Sequence, residues 1–277
     1  IFFNIVCIPS LFAESINVNQ SKVRISVRPG DSASGAIDVE NSSATDILVR
    51  AYLEDWQYSK AGDGTKDFYP AGTMPHSASS WIRFVPSEFL VPAHSRQQVN
   101  YTVKVPADAQ GTAFAVLFFE STMGRQAAQE TVGMNVVLRV GSLFYVDCLG
   151  SAERKAEING FSLSSPGQGQ PAQLSLNLKN TGSSDITTDA QFHIMDDTGM
   201  VFDRGQFDPS YTMPGDAARL RAESKQRLKP GAYTMVITVD LGKAQKDLGL
   251  DAGPVIVKET LVSVSADGTI VAQGELQ

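Results

Sequence analysis

Apolar residues in this chain recur at every second position, and almost nowhere with the three-to-four spacing of a helix face. Alternate residues of a strand point to opposite sides, so this period predicts half-buried β-strands throughout. The stretch Gln97–Val105 is the clearest case, with Val99, Tyr101, Val103 and Val105 on one side and polar residues between them. Pro-Gly, Asn-Ser, Asn-Thr-Gly and Asp-Gly pairs punctuate these stretches, as turns between strands require.

In the first half the pattern predicts strands over Val23–Val27, Gly35–Glu40, Ile47–Trp56, Trp81–Val85, Gln97–Val105, Thr112–Glu120 and Gly133–Tyr145. In the second half it predicts Lys155–Leu163, Gln173–Lys179, Ile186–Met195, Val201–Phe207, Ala217–Ala222, Ala232–Asp240 and Val255–Val264. Seven short strands per half is the count of an immunoglobulin-like sandwich. The fold class expected is therefore all-β, two tandem immunoglobulin-like β-sandwich domains. The polar segment Gly150–Lys155 separates them, giving domains over 14–149 and 150–277. With 277 residues, each half is long enough to bury a core of its own. An internal repeat agrees with this. GAIDVENSSATDI (35–47) and QLSLNLKNTGSSDI (173–186) both lead through alternating apolar residues to an Asn, with Asp five and Ile six positions later. Asn41 and Asn180 are expected at the turn leaving the strand, where Asn caps its own backbone.

The start of the chain, IFFNIVCIPSLFA, is apolar without alternation. Residues 1–13 read as the apolar stretch of an export signal, so the mature chain is expected in the periplasm. Removal of Cys7 leaves Cys148 alone, without an intrachain disulfide. No later segment is long and apolar enough to insert in a membrane. The net charge of −7 argues against nucleic acid and anionic membrane surfaces as partners.

Chemistry is hard to find. His76, His94 and His193 are scattered, and no ligand spacing suggests a metal. The run Asp63-Gly-Thr-Lys-Asp67 lacks the full series of a calcium loop and reads as a solvated turn. There is no nucleophile elbow and no phosphate-binding glycine loop. The expectation is a protein with no catalytic residues, no metal and no cofactor.

Several segments taken in order resemble the periplasmic pilus (fimbrial) chaperones. They are RISVRPGDSASGAIDVEN (24–41), WIRFVPSEFLVPAHSRQQVNYTVKVP (81–106), FAVLFFES (114–121) and VGMNVVLRVGSLFYVD (132–147). The resemblance covers roughly the first domain; the second agrees only in being a sandwich at the right place. It implies a protein that binds pilin-type subunits by adding a β-strand to them, during assembly or secretion of surface structures. The partners implied are a pilin-like subunit and, beyond it, an outer-membrane assembly protein. The strand that the resemblance assigns to binding carries Met134, Val136, Leu138 and Val140 on one face and Arg139 on the other. That apolar face either packs inward as core or is offered to a partner. The family also uses a basic pair to hold the subunit's terminal carboxylate. Arg24 occupies the first of these positions; Ser142 stands where the second, a Lys, is expected, with Arg139 nearby but off register.

A second resemblance, carried by RPGDSASGAIDVENSSATDI (28–47) and LKPGAYTMVITVDLG (228–242), is to cell-surface immunoglobulin-like proteins that bind peptidoglycan or host proteins. Those proteins usually end in an anchor, which Ala272–Gln277 does not resemble. The expectation favours the periplasmic protein.

Overall fold

The computed structural model describes residues 16–123, 136–164, 171–243 and 253–273. The expected export signal (1–13) and Met134 lie outside the described residues. Strands make up almost all of the regular structure. The described chain forms two units, one built mainly from residues up to Leu149 and the other from Gly150 onward. The second also takes in Gln57–Asp67 and Gln110–Thr112.

The first unit contains β1 (Ile16–Val18), β2 (Lys22–Val27), β3 (Ser32–Asn41), β4 (Ile47–Tyr58), β5 (Lys66–Pro70), β6 (Ile82–Val85), β7 (Glu88–Val91), β8 (Ser95–Lys104), β9 (Thr112–Met123) and β10 (Val136–Cys148). One sheet has the order β1-β3-β8-β6; the other runs β2-β10-β9-β4-β5, with β7 also paired to β4. The chain passes from the first sheet to the second at the cis Val85–Pro86 peptide. The alternation seen in the sequence sorts inner from outer side chains. Val99, Val103 and Val105 are fully buried and Tyr101 nearly so, against Ile37 and Val39 of β3 and Leu117, Phe119, Phe144 and Val146 of the facing sheet. Each such side chain contributes on the order of 1.5–3 kcal/mol by leaving water.

Asp55, on β4, is fully buried. Its carboxylate accepts hydrogen bonds from the amides of Thr73 (2.8 Å) and Met74 (2.9 Å) and from the hydroxyls of Ser77 and Ser79 (both 2.6 Å). Burial pushes its pKa up, but these donors outweigh burial and hold it below the ordinary value. The segment they fix returns to the sheet, where the Phe114 amide donates to the His76 carbonyl at 2.7 Å.

The second unit contains β11 (Ala156–Ser164), β12 (Gln173–Asn180), β13 (Ile186–Thr187), β14 (Asp189–Met195), β15 (Val201–Gln206), β16 (Tyr211–Thr212), β17 (Ala217–Glu223), β18 (Gly231–Asp240), β19 (Val255–Val264) and β20 (Ile270–Gln273). Its sheets run β11-β12-β17 and β15-β14-β18-β19-β20, with β13 paired to β16. Leu176, Phe192, Ile194, Met235 and Ile237 form the centre of its core. The single strand expected over Ile186–Met195 is two. At the break, Thr188 donates its amide to the Ser210 carbonyl (2.9 Å) and accepts the Ser210 amide on its hydroxyl (2.9 Å), which turns the chain from one pairing to the next.

The repeated Asn turns have the same construction in both units. Asn41 closes β3 and Asn180 closes β12, and both are fully buried. Each side-chain amide donates to the carbonyl four residues on, Thr45 (2.7 Å) or Ser184 (2.9 Å). Each side-chain oxygen accepts the backbone amide two residues on, Ser43 (2.9 Å) or Gly182 (3.0 Å).

Candidate protein-binding edge

β10 is paired unevenly along its length. From Leu143 to Cys148 it lies between β9 and β2, parallel to β2, with Leu143 opposite Lys22 and Cys148 opposite Val27. From Val136 to Ser142 it has β9 on one side, and among the described residues no strand pairs with the other side. The Leu143 amide donates to the Ser21 carbonyl (2.9 Å) and so points toward the β2 side. Alternation then turns the N–H and C=O groups of Val137, Arg139 and Gly141 to that same side, an edge open to a further strand.

The side chains of this half divide by face. Leu138 and Val140 are half-buried and pack against the core of the unit; Val137, on the outer face, is 51% exposed. Ser142 is buried and donates its hydroxyl to the Gln20 carbonyl (2.6 Å), pinning the chain just before β2. A lysine could not make this compact bond inside the sandwich.

Arg139 leans back across the outer face, away from the open edge. Its guanidinium lies 3.9 Å from the ring centre of Phe118 and 5.4 Å from that of Phe68. It pairs with Glu54 (3.2 Å) and donates to the Tyr52 hydroxyl (3.4 Å), which in turn donates to Glu120 (2.7 Å). The Tyr52 hydrogen bond is the main cause that raises the Arg139 pKa above its ordinary value; burial opposes it, and the Glu54 charge adds to the rise. Gly141 permits this arrangement: a Cβ there would stand 2.8 Å from the Phe118 ring and 2.9 Å from Val116. The Phe118 ring from β9 can therefore approach the β10 backbone closely.

Arg24 is held at the other end of β10. It faces Tyr145 in the β2–β10 register, and its guanidinium lies 4.6 Å from that ring's centre. Nη1 donates to both carboxylate oxygens of Asp147, at 3.1 and 3.0 Å. The two side chains are only 4% and 11% exposed. Behind Tyr145, Trp56 and Phe114 complete a set of edge-to-face rings 5.1 to 5.9 Å apart. The cation expected to meet a partner's carboxylate thus meets a carboxylate of its own chain. Sequence reasoning missed Asp147. It stands two residues beyond Tyr145, on the same face of β10, and only the parallel register with β2 brings it to Arg24.

Among the described residues no three His, Cys, Asp or Glu side chains gather as a metal site, and no helix is long and apolar enough to cross a membrane.

No known family's sequence profile matches the chain, and no curated protein matches it. Solved structures do. The class 5 fimbriae chaperone CfaA superposes with a TM-score of 0.51 at 10% identity, over 88% of this chain and 98% of that one. The chain has the fold of a fimbrial chaperone. A chaperone–tip adhesin complex of CFA/I fimbriae biogenesis gives 0.49 at 9% identity, with the same coverage of both chains. The Salmonella enterica SafA pilin–SafB chaperone complex gives 0.43 at 12% identity, over 94% of each chain.

Proposed function

We propose that this protein is a non-catalytic periplasmic chaperone that captures a pilin-type subunit by lending it the Val136–Ser142 half of β10 as an edge strand. The observation that carries the proposal is the half-paired β10: a regular strand, backed by β9 and its own core, with one row of backbone groups to which no strand pairs among the described residues. Natural sheets normally blunt such an edge with proline, charge or a covering loop. Here the only charged side chain from Val136 to Ser142 is Arg139, and it is folded back over Phe118. The CfaA-like fold agrees with the reading. An incoming strand would gain main-chain hydrogen bonds at Val137, Arg139 and Gly141 and cover the half-buried Leu138 and Val140. The binding residues are then Leu138 and Val140 on the inner face, with Arg139 and Ser142 fixing the strand; the Met134 and Val136 side chains expected beside them lie outside those described.

Arg24 enters this proposal through Asp147. For it to orient a partner's terminal carboxylate, that carboxylate must take the place of Asp147 or share the guanidinium with it.

The test is Val137→Pro. The Val137 side chain is exposed and its N–H faces the open edge, so proline removes an edge donor with a stability cost within about 1 kcal/mol. Co-expressed with a pilin-type subunit and recovered by pull-down, the variant should be folded and should no longer retain the subunit. Capture at the wild-type level by folded Val137→Pro would refute strand addition at this edge.

A further inference from the structure

The outer face of the β15-β14-β18-β19-β20 sheet carries an unusual share of exposed apolar surface. Met200, Val201, Val255, Val257, Leu261 and Val271 lie on it or beside it, half of the large apolar side chains left exposed among the described residues. Register places the outward residues in rows across the strands. One row reads Arg204, His193, Val236, Glu259; the next reads Val201, Met195, Thr234, Leu261. Arg204 and Glu259 are both exposed, on opposite flanks of the face.

We infer that this face is a self-association surface whose partner is a second copy of the same chain. The argument is the order of the charges. A two-fold axis running along the strands, between β14 and β18, turns one sheet onto another and reverses each row. Arg204 then stands over Glu259 of the second copy, and Glu259 over its Arg204, so one row supplies two ion pairs. In the neighbouring row the same operation sets Val201 against Leu261 of the second copy, apolar on apolar. An axis across the strands would instead oppose like charges. At the far end Asp189 meets Asp240 of the second copy, where Lys243 already neutralises Asp189 at 2.5 Å. Sheets stacked this way lie about 10 Å apart with their strands nearly aligned, the ordinary packing of a sandwich. With the axis between β14 and β18, the strands β15, β14, β18 and β19 overlap; four strands by about seven residues is a face of about 19 by 23 Å, which covers about 900 Å² over two copies, the size of a weak, reversible contact.

The test is a charge swap in the full chain, read by sedimentation equilibrium over a wide concentration range. Within one copy Arg204 and Glu259 are three strand spacings apart, about 14 Å, so they do not pair in cis. The wild type should dimerise. Arg204→Glu and Glu259→Arg alone should each raise the dissociation constant at least about tenfold, because each sets like charges together. The double variant Arg204→Glu/Glu259→Arg should restore it. All three changes are at exposed positions, and melting curves matching the wild type confirm that each variant is folded. A wild type that stays monomeric, a dimer that survives either single change, or a double variant that fails to regain it would overturn the inference.

Discussion

The two halves of β10 are one continuous strand with opposite fates. From Leu143 onward it is flanked on both sides, and Phe144, Val146 and Cys148 are fully buried. Before Ser142 it is flanked by strand on one side only among the described residues, Val137 is half-exposed, and Leu138 and Val140 are only partly covered. The residues themselves do not differ enough to explain this. Both halves alternate apolar side chains without proline. The difference comes from where β2 stops: its first residue pairs with Leu143. Strand-forming sequence sets the pleat, and the length of the neighbour sets whether the edge is available.

Three substitutions probe that comparison. The largest effect belongs to the flanked half. Phe144→Ala removes a fully buried ring set edge-to-face on Tyr101 at 5.0 Å and should cost about 3–5 kcal/mol, read as a fall in the denaturation midpoint. Next comes Leu138→Pro. Its N–H points to β9, opposite to that of Val137, so proline breaks the retained ladder and loses partial core packing. We expect a loss of about 2–4 kcal/mol, several times that of Val137→Pro one residue away. Equal losses at the two positions would mean that the half-paired edge is misassigned. The smallest of the three is Arg24→Ala. It leaves Asp147 buried without its guanidinium and should cost about 1–3 kcal/mol in thermal or denaturant unfolding. No loss at all would show that the pair contributes nothing to closing β2 onto β10.

Much of the fold was legible. The Val99-Tyr101-Val103-Val105 alternation marks a strand whose inner face is buried in full, and the two Asn turns are recognisable from their spacing because the bonds that shape the turn are local, to residues two and four positions on. What was not legible is short or distant. β1, β5, β7 and β20 have three to five residues each, too few for alternation to stand out. That Gln57–Asp67 belongs with the second unit depends on contacts made far along the chain. At the candidate edge, the apolar face could be read but its burial could not, since that depends on how far β2 reaches. The Arg24–Asp147 pair joins residues 123 apart, and no local signal announces it.

That separation also sets a clock. β2 stands near the start of the described chain and β10 closes its unit, so their parallel ladder is among the last contacts an emerging chain can make. Closing a loop of this length is slow compared with forming the hairpins inside it. Until it closes, the Leu143–Cys148 half is as open on that side as the Val136–Ser142 half, and β10 offers a stranger one long sticky border. Once β2 docks, only the first half is left on display. Completion of folding thus trims a long open border to a short one that ends at Ser142, where β2 begins.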